Sequence, residues 1–549
     1  MNYKDRFNDW MSWADEDTKK ELETISDEKE LEDRFYQDLE FGTAGLRGIM
    51  GAGSNRMNRY TVSKASKGLA DYLKATAGNH ISQGVVIAYD SRNHSQEFAR
   101  VTANVLTSAG IPVKLFKELE PIPVLSFAVK HFHALGGVVV TASHNPPEYN
   151  GYKVYGPNGA QLVPKDADVL TSYVEAITDL AAIDTKGNET LLTMLDQDVV
   201  DLFVDTIFNQ SFYKGNPPEL SIVYTPIHGS GCKPVQKILR KAGFTDVHVV
   251  KEQEQPDGNF PTVTSPNPEN EEALTMGIEL AKQVGADIVF GTDPDSDRIG
   301  AAVRQGNDFV LISGNQMGAL LTYFVLTTRK ETLTPASTMV KTVVTGELGA
   351  EIGRHFGVQV VETLTGFKYI GEKISQWEHD DHHDFVIGYE ESYGYLVGTH
   401  AQDKDAVVSA LLIAEMAAYF KKQDKTLVDV LNDLYDTFGY YYDKTTSYTL
   451  KGLEGLAKIK AIMAHLRDID VTTIIPDISE VIDFETGVGD LPKENVLKYQ
   501  LKTGGWMAVR PSGTEPKIKI YYSLKGKNEE EAVRKFETYK GKWEEALGL

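Results

Sequence analysis

One stretch of the chain constrains its fold and its chemistry more than any other. Leu135–Val140 is an apolar, β-branched run that predicts a buried strand, and Thr141–Lys153 follows it directly. An Asn-Pro-Pro in that segment ends regular structure, because proline fixes φ, lacks an N–H and restricts the residue before it. Ser143 therefore stands in a stiff loop, expected to be exposed, where its hydroxyl can carry a phosphoryl group. The alternative is a turn in which Ser and Asn bond the backbone.

Length, composition and charge narrow the class of protein. A chain of 549 residues is expected to form three or four domains. Its 41% hydrophobic and 25% charged residues are ordinary for a soluble protein, and no apolar run has membrane-spanning length. A net charge of −23 argues against nucleic acid and anionic membranes as partners. A single cysteine, Cys232, and the lack of a signal-peptide h-region at the N-terminus predict a cytoplasmic protein.

Strand-like and helix-like segments alternate along most of the chain. A strand at 84–90, a helix from Ser95 to about Ser108 and a strand at 111–116 precede the Ser143 strand. This alternation predicts parallel strands in α/β sheets, which bind ligands at the carboxyl ends of their strands. Residues 1 to about 40 predict one or two amphipathic helices. The predicted domains are 1–208, 209–312, 313–440 and 441–549.

Three carboxylates follow another predicted strand, Asp287–Phe290. Asp293, Asp295 and Asp297 alternate with residues that are not ligands, so in an extended loop all three can converge on one hard cation such as Mg²⁺. A calcium EF-hand is disfavoured, because arginines occupy the sixth and twelfth positions of that pattern. The alternative is a solvated acidic turn.

Three further loops have residues suited to phosphate or sugar. Phe41–Gly51 combines four glycines with one arginine, and Arg510–Thr514 offers a guanidinium, two hydroxyls and backbone N–H groups. Phe385–Gly394 is a strand followed by a polar loop with Glu and Ser, which can bond sugar hydroxyls. An upstream Thr-Gly-Phe-Lys, at 365–368, places a lysine in a turn before a helix. Each loop taken alone also fits an ordinary structural turn.

In the order in which they follow one another along the chain, the motifs resemble those of the α-D-phosphohexomutases, the phosphoglucomutase/phosphomannomutase superfamily. The resemblance covers nearly the whole chain. Thr-Ala-Ser-His-Asn-Pro followed by Asn-Gly-Tyr-Lys resembles the family's phosphoserine loop. The resemblance implies a four-domain α/β architecture, with three similar mixed α/β domains and a C-terminal α+β domain around a central cleft.

The resemblance also implies roles for individual residues. The implied catalytic residues are Ser143, His144, Lys153, Arg47 and Lys368. The implied magnesium ligands are Asp293, Asp295, Asp297 and the phosphate on Ser143. The implied substrate-binding residues are Arg298, Thr365, Gly366, Glu390, Ser392, Arg510, Ser512, Gly513 and Thr514. His144 and Lys153 are both candidates for proton transfer, and the sequence does not rank them.

The implied activity is that of an isomerase acting by intramolecular phosphotransfer. It would interconvert α-D-glucose 1-phosphate and glucose 6-phosphate through a phosphoserine enzyme, with glucose 1,6-bisphosphate as intermediate and activator. The preference for glucose follows from Glu390-Glu391-Ser392, which resembles the sugar loop of the glucose-specific branch. Mannose and pentose phosphates remain open as substrates, and the oligomeric state remains open between a monomer and a weak dimer. Two alternative functions are that of a metal-dependent sugar phosphatase and that of a non-catalytic sugar-phosphate sensor.

Overall fold

The computed structural model describes residues 2–42, 45–378, 380–450, 452–512 and 517–549. The chain forms two compact units. Unit 1 consists of Met1–Ile312, Ile370–Asp380 and Gly394–Lys422. Unit 2 consists of Ser313–Tyr369, Asp381–Tyr393 and Gln423–Leu549. In the described part of the chain, no helix is both long enough and apolar enough to cross a membrane.

Unit 1 begins with three short helices. They are α1 (Tyr3–Trp13), α2 (Glu16–Glu23) and α3 (Glu28–Phe35). Asn2, Asp15 and Asp27 precede them, and each side chain accepts a backbone N–H of the helix that follows. The expectation of one or two helices was therefore wrong, because each of these N-caps starts a separate helix.

The first α/β region contains the serine loop. Its elements are β1 (Leu46–Ile49), α4 (Arg59–Thr76), β2 (Val85–Tyr89), α5 (Ser95–Ser108), β3 (Val113–Phe116), α6 (Ile122–His131), β4 (Gly136–Val140), β5 (Tyr149–Tyr155), α7 (Pro164–Glu175), β6 (Leu192–Leu195) and α8 (Gln197–Ile207). The sheet order is β1-β5-β4-β2-β3-β6. Strand β2 is parallel to β3 and β4, whereas β5 runs antiparallel to β4 and β1. Because β5 returns alongside β4, Lys153 lies opposite Val139, close to the serine loop.

The second α/β region of unit 1 contains the aspartate loop. Its elements are β7 (Ile222–Thr225), α9 (Cys232–Lys241), β8 (Val247–Val249), α10 (Lys251–Glu254), α11 (Glu271–Val284), β9 (Ile288–Thr292), β10 (Ile299–Gln305) and β11 (Asp308–Ile312). The sheet order is β11-β10-β9-β7-β8, with β7 parallel to β8 and β9. Strands β9 and β10 are antiparallel, and the aspartate loop is the connection between them.

The third α/β region is shared between the two units. Its elements are α12 (Gly314–Thr328), β12 (Ser337–Thr342), α13 (Leu348–His355), β13 (Gln359–Thr363), α14 (Phe367–Trp377), β14 (Asp384–Glu390), β15 (Gly394–Val397), α15 (Ala406–Lys421) and α16 (Leu427–Phe438). Strand β12 is parallel to both β13 and β14, all in unit 2. Helix α15, in unit 1, is buried along almost its whole length, as its Ala- and Leu-rich sequence predicts.

The C-terminal region of unit 2 has an antiparallel sheet. Its elements are β16 (Tyr440–Thr449), α17 (Gly452–Asp468), β17 (Ile478–Asp483), β18 (Leu497–Leu501), β19 (Gly505–Pro511), β20 (Lys517–Gly526) and α18 (Glu529–Leu547). The sheet order is β16-β20-β19-β18-β17. Helix α18 packs on it through Trp543, whose ring centre lies 5.3 Å from that of Tyr499. The predicted fold class, three α/β regions followed by an α+β region, is thus confirmed.

Candidate active site

Ser143 lies immediately after β4 in a left-handed backbone conformation, with φ of 53°. Its N–H donates to Thr141 Oγ1 over 2.8 Å. Its Oγ lies 3.1 Å from His144 Nδ1 and 3.1 Å from Asp293 Oδ2. Only 4% of the residue is exposed, so the expectation of an exposed loop was wrong. The hydroxyl is instead held between an imidazole and a carboxylate.

A buried arginine shapes this serine loop. The Arg92 guanidinium donates to four carbonyl oxygens of the loop, those of Ser143, Asn145, Pro146 and Tyr149. Its charge is balanced by Asp90, at 3.5 Å, and both side chains are fully buried. Sequence reasoning missed Arg92, because its acceptors are main-chain atoms more than fifty residues away. The only local signal was its position just after β2.

The three aspartates after β9 converge. Asp293, Asp295 and Asp297 are all buried, and one carboxylate oxygen from each lies within 4.8 Å of the others. Asp293 Oδ1 accepts the backbone N–H groups of Asp297 and Arg298, at 3.2 and 3.0 Å, which curls the loop around that carboxylate. The spacing read from the sequence therefore places three oxygen donors at one point.

The three buried carboxylates of this cluster act on one another's ionisation. Burial and the two neighbouring carboxylates raise the pKa of Asp293 well above its usual value. Burial opposes ionisation of Asp295 too, but Lys153, a hydrogen bond with Asp293 and the charge of Lys404 together hold the pKa of Asp295 below its usual value. Among the described residues, Asp295 Oδ1 and Asp297 Oδ1 are buried without a hydrogen-bond partner. Unpartnered carboxylate oxygens of this kind fit a divalent metal ion.

Two lysines contact the cluster. Lys153 Nζ lies 3.1 Å from Asp295 Oδ2, and Lys404 Nζ lies 3.1 Å from Asp297 Oδ2. Lys404 also lies 3.1 Å from Asp403, which accepts a hydrogen bond from Tyr155. Sequence reasoning missed Lys404, because it follows the aspartates by more than a hundred residues and belongs to no motif that we recognised.

The remaining charged groups of unit 1 surround the serine loop. Arg47, on the edge strand β1, donates from Nη1 to Asn145 Oδ1 over 3.3 Å. Arg298 Nη1 lies 2.5 Å from Glu269 Oε1, so part of its guanidinium faces an acid. Burial, and then the charge of Arg298, lower the pKa of His144 well below its usual value. His144 is therefore neutral near pH 7.

The loop expected to bind sugar hydroxyls, at the end of β14, lies in unit 2. Glu390 is the last residue of β14, and its Oε1 accepts the backbone N–H of Gly366 over 2.9 Å. Thr365 Oγ1 is buried and has no hydrogen-bond partner among the described residues. Ser392 is half-buried. Lys368 lies in the first turn of α14 rather than before the helix, because α14 already begins at Phe367.

The C-terminal loop of unit 2 follows β19. Arg510 donates from Nε to Glu494 Oε1 over 2.9 Å, so an acid orients its guanidinium. The N–H of Ser512 donates to Lys517 O over 2.8 Å. Gly513 and Thr514 lie outside the described residues. The structure thus gathers Ser143, His144, Lys153, Arg47 and the aspartates within unit 1, and Thr365, Gly366 and Glu390 within unit 2.

Comparison with known proteins gives consistent similarities. Four models of phosphoglucomutase/phosphomannomutase match: α/β/α domain I at 38–181, domain II at 201–306, domain III at 313–438 and the C-terminal domain at 453–538. A phosphoglucomutase of Staphylococcus aureus is 38% identical over 542 residues, covering 96% of this chain and 97% of the relative. That of another strain is 38% identical over 532 residues, covering 94% and 95%.

Solved structures share the fold. A phosphoglucomutase/phosphomannomutase family protein of Burkholderia thailandensis superposes with a TM-score of 0.69 at 20% identity, covering 92% of this chain and 97% of that one. Parafusin, a phosphoglucomutase of Paramecium, superposes with a TM-score of 0.70 at 17% identity, covering 92% and 95%. With all four domain models matched in order along one chain, the protein belongs to the phosphoglucomutase/phosphomannomutase family.

Proposed function

We propose that the protein interconverts α-D-glucose 1-phosphate and glucose 6-phosphate, as an isomerase that acts by phosphotransfer. The observation that carries this is the position of Ser143 Oγ, 3.1 Å from both His144 Nδ1 and Asp293 Oδ2. A hydroxyl that carries a phosphoryl group needs a proton-transfer partner and, at the same point, a cation that neutralises the phosphoryl charge, for which Asp293 would be a ligand. The choice of glucose is supported by the two relatives at 38% identity, both named phosphoglucomutases.

We assign the aspartate cluster to Mg²⁺. Asp293, Asp295 and Asp297 would hold it, since hard carboxylate oxygens are its preferred ligands. When bound, Mg²⁺ would neutralise charge that develops on the phosphoryl group during transfer. Lys153 and Lys404 sit on two of these carboxylates and limit the repulsion among them.

His144 is the proton partner of the carrier serine in this proposal. Being neutral and adjacent to Oγ, it takes the Ser143 proton as the serine oxygen gains a phosphoryl group. It returns that proton when the group leaves. Lys153 is the candidate for exchanging the proton of the sugar hydroxyl. Its ammonium lies on Asp295, so it remains beside the cluster.

The sugar and its second phosphate would be bound by unit 2. Glu390, Ser392, Thr365 and Gly366 are assigned to sugar hydroxyls, supported by the unpartnered Thr365 Oγ1. The distal phosphate is assigned to the C-terminal loop, from Arg510 to Thr514. Lys368 of unit 2, with Arg47 and Arg298 of unit 1, completes the set of cations assigned to the substrate.

We also propose the remaining features of the enzyme. Glucose 1,6-bisphosphate would act as intermediate and primer, and the location would be the cytoplasm. The domain boundaries after residues 208, 312 and 440 fall within two residues of the ends of α8, β11 and α16, at Ile207, Ile312 and Phe438. A boundary beside the end of an element leaves the elements of each domain intact.

A coupled assay tests the proposal. Conversion of glucose, mannose and ribose 1-phosphates is followed at saturating Mg²⁺ with the corresponding bisphosphate added, and kcat/KM is compared. The value of kcat/KM is expected to be highest for glucose 1-phosphate and lower but measurable for mannose 1-phosphate. The two sugars differ at one hydroxyl, whose placement changes the free energy of binding by about 1–3 kcal/mol. A higher kcat/KM for mannose or ribose 1-phosphate would refute glucose 1-phosphate as the preferred substrate. Release of inorganic phosphate without isomerisation would identify a phosphatase. Binding without turnover, with Ser143 unphosphorylated by intact mass, would identify a sensor.

A further inference from the structure

The three N-terminal helices precede the first family-model match, which begins at residue 38. Helices α1 and α3 pack through aromatic rings, with the ring centres of Trp10 and Phe35 5.7 Å apart. Trp10 also contacts Tyr60 of α4, at 5.3 Å. Ala52, 3% exposed, belongs to the same apolar cluster. The helices are therefore packed against the irregular segment at residues 50–58, which we call the 50–58 loop.

An ion pair in these helices satisfies the backbone of that loop. Arg34 Nη1 lies 2.6 Å from Glu21 Oε1, and the Arg34 side chain is 13% exposed. The N–H of Ala52 donates to Glu21 Oε1 over 3.0 Å, and the carbonyl of Ala52 accepts from Arg34 Nη1 over 3.0 Å. Since an unpaired buried backbone group is costly, the pair holds Ala52 through both of its polar groups. We call Glu21 and Arg34 the clamp.

Further contacts tie the loop to α3. Asn55 donates from its N–H to Arg34 O over 2.9 Å and from Nδ2 to Asp33 O over 2.9 Å. Arg56 Nη2 lies 2.6 Å from Asp33 Oδ2. A Cβ on Gly53 would stand 2.7 Å from Arg34 O, so the backbones of the loop and α3 approach too closely for a side chain there.

The 50–58 loop is hydrogen-bonded to β1, the strand that contains Arg47. Its Met57 donates from N–H to Ile49 O, the last residue of β1, over 2.8 Å. Strand β1 is the edge strand of the sheet and pairs with β5, with Arg47 opposite Gly151. The loop therefore adds a second attachment, beside the pairing with β5, to the end of the strand that presents Arg47 to Asn145 of the serine loop.

We infer that Glu21 and Arg34 are positioning residues for Arg47, acting through the 50–58 loop on β1. The inference rests on the proposed role of Arg47 in the mutase reaction. It assigns to the N-terminal helices a function in phosphate recognition, beyond their own packing. Small displacements of a positioned group lower rates severalfold to a hundredfold, so loss of the clamp is expected to be visible in kinetics.

The test is a double-mutant cycle. Arg34→Ala is expected to lower kcat/KM for glucose 1-phosphate about tenfold, and Arg47→Ala on the order of a hundredfold. The double variant is expected to match Arg47→Ala, because the clamp has nothing left to position. Lys20→Ala, at an exposed ion pair on α2, is the matched control and should leave kcat/KM unchanged. Hydrogen exchange should show faster exchange of residues 45–58 in Arg34→Ala only.

Each outcome is decisive. If the effects of Arg34→Ala and Arg47→Ala multiply, or if Arg34→Ala keeps wild-type kcat/KM, the inference fails while the mutase function stands. If wild type does not isomerise the substrate, or Arg47→Ala is fully active, the proposed function or its use of Arg47 fails first. Should Arg34→Ala not fold, Glu21→Gln takes its place. It keeps an acceptor for Ala52 but weakens the ion pair, so the same non-multiplying pattern with a smaller fold-change is expected.

Discussion

Thr345 donates a hydrogen bond from Oγ1 to Glu391 Oε2 over 3.1 Å, and Thr342 Oγ1 lies 3.4 Å from the same oxygen. Glu391 stands between Glu390 and Ser392, the two residues assigned to sugar binding. Its carboxylate nevertheless accepts hydrogen bonds within unit 2, from the end of β12 and the turn that follows it. Glu391 thus anchors this loop, whereas its neighbours Glu390 and Ser392 are the residues assigned to the sugar.

Removing that anchor should weaken sugar binding. Glu391→Ala is expected to raise KM for glucose 1-phosphate about tenfold with a smaller change in kcat, because two hydroxyls lose their acceptor and the loop loses its fixed position. Thr345→Val, which removes one donor and keeps the carboxylate, should give part of the effect. Steady-state kinetics of both variants checks this. An unchanged KM in Glu391→Ala would show that the loop holds its position without the anchor.

Ser143→Ala should abolish phosphoryl transfer. Activity is expected to fall by several orders of magnitude, because alanine cannot carry the group. Intact mass should show no phosphorylated protein after incubation with glucose 1,6-bisphosphate. Ser265→Ala is a matched control, since Ser265 donates to the carbonyl of His144 in the same loop but carries nothing in the proposed cycle. Near-native turnover in Ser143→Ala would refute the proposed carrier.

Asp295→Asn should raise the Mg²⁺ concentration needed for half-maximal activity and lower the maximal rate, because one ligand charge is lost. Titration of apo protein with MgCl₂, read by activity and by calorimetry, measures both effects. Asp308→Asn, at an exposed strand end in the same region, should leave the titration unchanged. Full activity of wild type after exhaustive chelation would contradict the metal assignment.

Arg92→Ala should destabilise the protein by about 3–5 kcal/mol, because it leaves Asp90 buried without its partner and removes the donor to four loop carbonyls. Arg100→Ala, an exposed arginine on α5, should cost less than about 1 kcal/mol. Urea unfolding of the two variants beside wild type makes the comparison. Equal stabilities would mean that the loop does not depend on the buried guanidinium.

Glu120 should make stability fall as pH rises. It is 3% exposed and accepts from Gln197 over 2.9 Å, and burial raises its pKa from 4.5 to about 8. Between these values the unfolded chain ionises this group while the folded protein keeps the proton. The free energy of unfolding therefore decreases there, by at most about 1.4 kcal/mol per pH unit from this group.

Glu120→Gln removes that titration and keeps the shape of the side chain. Its stability profile from pH 5 to 8 should consequently fall less steeply than that of wild type. Glu189→Gln, at an exposed glutamate that does not act on Glu120, should follow the wild-type profile. Parallel profiles for Glu120→Gln and wild type would show that Glu120 is already ionised in the folded protein.

Local patterns in the sequence were enough to predict some of the helices and strands and to select several candidate site residues. The helix Ser95–Ser108 and the strands β2, β3 and β4 follow from local patterns, whereas β1 and β5 lie in segments expected to be loops and β6 was not predicted. The aspartates converge because their spacing after a strand allows it. Arg92 and Lys404 were not predictable in this way. Their partners are distant in sequence. A buried cation that bonds carbonyl groups or a remote carboxylate produces no periodic pattern in the amino-acid sequence. The clamp on the 50–58 loop was missed for the same reason.

The left-handed backbone at Ser143 restricts which amino acid can act as carrier. Any L-residue with a φ of 53° is strained by about 1–2 kcal/mol, and threonine, whose hydroxyl is equally competent, adds the crowding of a β-branched side chain. Its extra methyl group would also need space in a loop that is closed by Arg92 and the aspartates. The geometry that presents the oxygen thus selects serine by steric means, so chemistry alone does not account for the residue at this position.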